Sequence, residues 1–123
     1  MSTKYIWRNG EFINWEDATV HVTAHAIHYG SSVFEGIRAY ATSDGPAIFR
    51  LRPHTERLVM GCRVARIDMP YTADQLDAAI TEIVGRNEHE SAYIRPVAFR
   101  GAGPLGLEGR SCPVEVMILT LDW

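Results

Sequence analysis

Along the 123 residues the hydrophobic period changes only twice: two pairs of short β-prone runs come first, two helical runs follow, and a pair of longer β-prone runs comes last. That order departs from the strand–helix alternation of a parallel sheet. It predicts an α+β domain in which two helices cover one side of a mostly antiparallel sheet. Tyr5-Ile6-Trp7-Arg8 and Glu11-Phe12-Ile13-Asn14 flank Asn9-Gly10, the dipeptide best suited to positive φ at both turn positions, so the first pair reads as a hairpin. Residues 33–42 read as one longer strand, Ser43-Asp44-Gly45-Pro46 as a turn, and residues 47–51 as the neighbouring strand. Val20-His21-Val22 reads as a further short strand, and residues 23–30 as a loop or a single turn.

Pro53 suits the first turn of a helix, and Leu58, Cys62 and Ala65 follow at three- and four-residue steps, which predicts a helix over residues 53–66. Thr72-Ala73-Asp74-Gln75 has the form of a capping box. Leu76, Ala79, Ile80, Ile83 and Val84 continue it with helical period, to a stop near residues 85–87. The last two β-prone runs, 92–99 and 114–121, are separated by Gly101-Ala102-Gly103-Pro104-Leu105-Gly106, which resists regular structure. With 46% hydrophobic residues, residues 1–123 are expected to form one domain around one core.

Several function classes are disfavoured. The net charge is −3 and the basic residues are dispersed, so no nucleic-acid partner is expected. The first eight residues lack the basic and apolar regions of a secretory signal, and no apolar run has the length of a membrane span. A cytoplasmic protein with no membrane partner is expected. Cys62 and Cys112 are too few for a zinc pattern and read as free thiols. His21, His25 and His28 lack carboxylate or thiol partners at ligand spacing, so no metal site is expected and the histidines are assigned ordinary hydrogen-bonding roles. The glycine-rich segment carries no Lys-Ser/Thr and is discounted as a nucleotide loop.

Alternate residues of a strand share a face, so Phe34, Gly36, Arg38 and Tyr40 would project one way and Val33, Glu35, Ile37 and Ala39 the other. An aromatic wall, a missing side chain and a cation suit a small carboxylate-bearing guest. A solvated Arg38 beside a bulge at Gly36 fits the spacing better when spacing alone is considered. Tyr93 and Arg95 likewise share a face of the strand that begins at Ser91-Ala92. They read equally as a buried pair awaiting an anion or as a hydrated edge marked by Pro96. Arg57 lies within the first two turns of the helix opened by Pro53, where an anion gains from free N–H groups, although most helix-surface arginines are simply hydrated. Lys4 is the only lysine, and at the flexible N-terminal end it makes no credible Schiff-base residue.

The run His25-Ala26-Ile27-His28-Tyr29-Gly30-Ser31-Ser32-Val33-Phe34-Glu35-Gly36-Ile37-Arg38-Ala39-Tyr40 resembles the signature near the start of branched-chain amino acid aminotransferases, pyridoxal-phosphate enzymes of fold type IV. Ser91-Ala92-Tyr93-Ile94-Arg95-Pro96 resembles the same family. So do Tyr5-Ile6-Trp7 through Trp15-Glu16-Asp17-Ala18 and Phe49-Arg50 through Arg57-Leu58, in family order, so the resemblance covers essentially the whole chain. It implies that Arg57 holds the phosphate of pyridoxal 5'-phosphate and that Phe34, Gly36, Arg38, Tyr93 and Arg95 surround the substrate. It further implies that Tyr29, Leu105 and Leu107 complete the active site of the neighbouring subunit in a homodimer. The parent enzyme would transfer the amino group of leucine, isoleucine or valine to 2-oxoglutarate. Family members are more than twice as long and carry their catalytic lysine in a C-terminal domain. This chain is therefore expected to be the N-terminal domain alone, without a catalytic residue, inactive by itself and not retaining the cofactor. The alternatives are another fold type IV enzyme, a D-amino acid aminotransferase or an aminodeoxychorismate lyase, and a stand-alone binding or dimerisation module.

Overall fold

The structure is a computed structural model, and it describes residues 3–123. Seven strands, β1 Tyr5–Arg8, β2 Glu11–Asn14, β3 Ser32–Phe34, β4 Ile37–Thr42, β5 Gly45–Ile48, β6 Ala92–Arg100 and β7 Val114–Asp122, form one sheet with the order β2-β1-β7-β6-β4-β5. Every pairing between these strands is antiparallel, and β3 joins β6 on the same side as β4. A single-turn helix α1, His25–Tyr29, precedes β3, and helices α2, Leu51–Val64, and α3, Ala73–Arg86, lie on one face of the sheet, as expected. No helix among the described residues is long and apolar enough to cross a membrane.

The hairpin at Asn9-Gly10 forms with φ of 48° and 92°, the positive pair that a two-residue turn of this twist requires. Asn9 also ties it to the sheet, because its N–H donates to the Val116 carbonyl at 2.9 Å and its Oδ1 accepts from the Val116 N–H at 2.8 Å. Helix α3 carries the complete capping box, with Gln75 N–H donating to Thr72 Oγ1 at 3.2 Å and Thr72 N–H donating to Gln75 Oε1 at 2.9 Å. The core lies between α2, α3 and the inner sheet face. Leu58, Cys62, Leu76, Ile80 and Ile83 pack there against Ile37, Ile94, Val116 and Ile118, each contributing on the order of 1.5–3 kcal/mol through burial if aliphatic and large.

Four expectations about elements need correction. Residues 33–42 are two strands, since the chain breaks at Glu35-Gly36 between β3 and β4. The strand read at 47–51 is β5 at Gly45–Ile48, so Gly45 and Pro46 pair with Thr42 and Ala41 and do not belong to the turn. Val20-His21-Val22 is no strand: all three residues are exposed, and His21 Nδ1 accepts from the Thr23 N–H in a local turn. Helix α2 begins two residues before Pro53, at Leu51, and stops at Val64. Arg50 before it has φ 52°, a left-handed value that no side-chain pattern announces. Residues 23–30, read as a loop or a single turn, hold the one turn of α1. Its Ala26 packs with Ile6, Val97, Phe99 and Met117 in a second, smaller cluster. Alternation along β6 and β7 puts that cluster on the face opposite α2 and α3.

β6 is a central strand, which overturns the edge reading of Pro96. A proline lacks the N–H that an interior strand normally spends on its neighbour. The Pro96 carbonyl accepts from the Glu35 N–H at 3.1 Å, and a strand residue points its N and O to the same side. The missing donor therefore faces the break between β3 and β4, where no regular ladder partner stands. Cys62 and Cys112 are buried free thiols, and burial pushes the Cys62 thiol up to about 11.

Candidate active site

The outer face of the sheet gathers most of the sequence-predicted residues. Arg38 of β4 stands opposite Tyr93 of β6, Phe34 of β3 stands opposite Val97, and Arg95 follows Tyr93 on the same face. The inner neighbours Ile37, Ala39, Ala92 and Ile94 are buried under the helices, so the alternation read from sequence holds across the β3–β4 break. The Arg95 guanidinium sits 4.0 Å from the Phe34 ring centroid and donates to Tyr93 Oη from Nε at 3.2 Å and Nη2 at 2.5 Å. Tyr93 Oη thus accepts twice and keeps its own proton to donate. Gly36 leaves room for the phenol in this position, since a Cβ there would lie 2.7 Å from that oxygen.

Arg38 lies between two aromatic rings, 5.2 Å from the Tyr40 centroid and 4.8 Å from the Trp123 centroid, and the Trp123 ring is itself 5.6 Å from that of Tyr93. Its Nε is buried and makes no hydrogen bond among the described residues. Neither Arg38 nor Arg95 is in an ion pair with a described carboxylate. Two guanidiniums and a phenol, beside aromatic rings and holding unused donors, have the chemistry to take an anionic oxygen on a partly apolar guest.

Arg57, on α2, is tied to the sheet through Glu35, the residue between Phe34 and Gly36. Its Nε and Nη2 both bond Glu35, at 2.9 Å to Oε2 and 2.8 Å to Oε1, and His54 Nδ1 lies 2.7 Å from Oε1. Glu35 is 7% exposed, and desolvation by itself raises its pKa, but hydrogen bonds and charge from Arg57 and His54 outweigh that and hold the carboxyl below its usual range. The same pairing raises the Arg57 pKa. What orients Arg57 is therefore a carboxylate from the β3–β4 break. Side-on contact to Glu35 leaves the Nη1–Nη2 end of the guanidinium open, on a side chain 70% exposed.

Tyr29, Leu105 and Leu107 stand apart, at the Phe99 end of β6. Tyr29 Oη donates to the Leu105 carbonyl at 2.6 Å, and Leu107 is 84% exposed. A cleft of about 940 Å³ opens there, lined by Tyr29 and Leu107 with His25, Ser31, Arg66 and Arg100. The histidines take hydrogen-bonding roles, His25 with Ser31 Oγ and the Gly106 carbonyl and His89 with Thr120 Oγ1. Lys4 is not at a loose end: its N–H donates to Asn87 Oδ1 and its carbonyl accepts from Trp15 N–H, while its ammonium is exposed 3.9 Å from Glu88. Trp123, Glu35 and His54 are the site residues that sequence reasoning missed. Trp123 continues the two-residue alternation of Leu119 and Leu121, an available signal, but its place over Arg38 depends on a register set across the irregular 101–113 segment.

Sheet, helices and site together define a domain of the class IV aminotransferases: residues 32–123 match the family described as amino-transferase class IV, and the chain belongs to it. Over 118 residues it is 45% identical to the branched-chain-amino-acid aminotransferase of Pseudomonas aeruginosa, an alignment covering 96% of this chain and 38% of the relative. Its fold matches a structure of the branched-chain amino acid aminotransferase from Escherichia coli with TM-score 0.94 and 41% identity, covering 99% of this chain and 42% of that one. It also matches the branched-chain aminotransferase from the thermophilic archaeon Thermoproteus uzoniensis with norvaline, with TM-score 0.93 and 36% identity, covering 99% of this chain and 41% of that one. The chain thus spans about two fifths of the length of these relatives, in their N-terminal part.

Proposed function

We propose that this chain is the substrate-facing N-terminal domain of a branched-chain amino acid aminotransferase, a cytoplasmic homodimer that moves the amino group of leucine, isoleucine or valine to 2-oxoglutarate. The observation that carries the reading is the outer face of β4 and β6, where Arg38 and Arg95 lie together, flanked by rings and without a carboxylate partner among the described residues. On it, Arg38 and Tyr93 Oη offer donors to a substrate carboxylate, Arg95 offers a second cation for the side-chain carboxylate of a dicarboxylic acid, and Phe34, Tyr40 and Trp123 exclude water from an aliphatic side chain. Tyr29, Leu105 and Leu107 are exposed in a way that suits contact with a neighbouring subunit's site.

Pyridoxal 5'-phosphate fits the residues present in one respect that the structure itself supplies, the unused end of the Arg57 guanidinium, which matches two phosphate oxygens. Bound there, the cofactor would supply an electron sink for the bond changes at the amino acid α-carbon. Arg57 would bind its phosphate, and the aromatic face would orient the amino acid against it. Lys4, exposed beside Glu88, does not serve as the proton-moving lysine, which this reading assigns to the part of the relatives beyond the matched stretch.

Co-expression tests this directly. The chain alone is expected to show no turnover of leucine with 2-oxoglutarate and no retained cofactor absorbance. Together with the remaining segment of the Pseudomonas aeruginosa relative it is expected to give both. Failure of the two pieces to associate, or turnover by the isolated chain, overturns the proposal.

A further inference from the structure

We propose that Glu35 is a positioning residue that sets the Arg57 guanidinium end-on toward a phosphate monoester, an inference resting on the reading of Arg57 as the phosphate ligand. Arginine has five N–H donors, and a carboxylate can take them side-on, through Nε and Nη2, or end-on, through Nη1 and Nη2. Glu35 takes them side-on: Oε2 accepts from Nε at 2.9 Å, and Oε1 accepts from Nη2 at 2.8 Å. That contact fixes the guanidinium plane and leaves three N–H groups unspent, two of which form the Nη1–Nη2 end.

Glu35 is itself fixed. Its backbone N–H is spent on the Pro96 carbonyl at the break between β3 and β4, its side chain is buried, and His54 Nδ1 approaches Oε1 at 2.7 Å from the preceding turn of α2. Arg57 is the opposite, a largely exposed side chain whose long stem would otherwise sample many rotamers in solvent. The rigid partner therefore decides where the mobile one points. An ion pair kept for stability alone needs no such asymmetry.

The sign of one substitution separates positioning from charge. Glu35 carries a negative charge beside the proposed phosphate position, so a purely electrostatic view has Glu35→Gln strengthen anion binding. Positioning has the isosteric amide weaken it, because an amide NH2 repels the guanidinium donors and releases the side chain. The measurement is the Arg57 Nε–Hε resonance of the 15N-labelled chain during titration with pyridoxamine 5'-phosphate, with pyridoxamine as the control lacking phosphate. In the wild-type chain we expect a saturable shift with the phosphate ester only, and in Glu35→Gln an affinity lower by about tenfold, the scale of one charge-assisted contact losing its geometry. In an Arg57→Ala background, where affinity is followed by the ligand's 31P resonance, Glu35→Gln should change nothing further. Glu35→Asp, which keeps the charge but withdraws the carboxylate by one methylene, should also weaken binding and serves if the Gln variant does not fold. Equal or tighter binding by Glu35→Gln overturns the positioning role while leaving Arg57 as ligand. A wild-type chain whose Arg57 resonance ignores the phosphate ester removes the ligand assignment, and the inference with it.

Discussion

Gly36 shows how closely the outer face is fitted at the level of single residues. A Cβ at this position would lie 2.7 Å from Tyr93 Oη, the far end of a side chain that can swing, so Gly36→Ala should displace the phenol and not the backbone. Gly36 is exposed and outside both apolar clusters, so the stability change should stay below about 1 kcal/mol. The Arg95 Nε–H, now bonded to Tyr93 Oη, should exchange with water several-fold faster, read by NMR, while the melting temperature barely moves. Unchanged exchange would show that Tyr93 does not need the glycine. The pairing of aromatic, glycine and arginine on one face was legible because strand alternation is local. Glu35 was equally legible as a residue of the other face, but its bond to Arg57 was not, since that contact spans 22 positions and depends on how α2 docks.

Between elements, the contrast of α3 with α2 explains which helix boundaries a sequence shows. The α3 start is written in side chains, because Thr72 Oγ1 and Gln75 Oε1 satisfy two backbone N–H groups that no helical carbonyl can reach. Thr72→Ala should cost about 1 kcal/mol. That loss should lower the melting midpoint by a few degrees, measured by circular dichroism. A midpoint equal to wild type would mean that packing of Leu76 and Ile80 alone holds the first turn. The α2 start has no such side-chain mark: Arg50 caps it through a left-handed backbone and no side-chain hydrogen bond, and Pro53 falls in the third helical position and not the first. The fold class followed from the order of periods. The pairing of both β3 and β4 with β6 did not, since it turns on one carbonyl of Pro96 meeting one N–H of Glu35.

Across the whole molecule, three buried titratable groups bound the pH range in which the domain is stable. His89 has its pKa lowered from 6.5, first by desolvation, with Asp122 opposing the shift. An unfolded chain then binds the proton more readily than the folded one, so stability is held above about pH 6.5 and declines as pH falls through the folded value. Glu35, held below its ordinary 4.5, acts in the same direction at lower pH: its contribution is present above 4.5 and is lost as acid protonates the carboxylate that Arg57 and His54 share. Cys62 has the opposite sign. Its thiol is raised from 9.0 to about 11 by burial between α2 and the core, so its contribution is complete below pH 9.0 and is lost as pH climbs toward 11. The melting temperature should therefore be highest between about pH 6.5 and 9, with two separable limbs. Glu35→Gln should flatten the acid limb only below pH 4.5, because the amide does not titrate. Cys62→Ala should lower stability by about 1 kcal/mol at neutral pH through the lost packing, yet flatten the limb between pH 9 and 11. An alkaline limb equally steep in Cys62→Ala would assign that loss to other groups, and the buried thiol would not be what limits the domain at high pH.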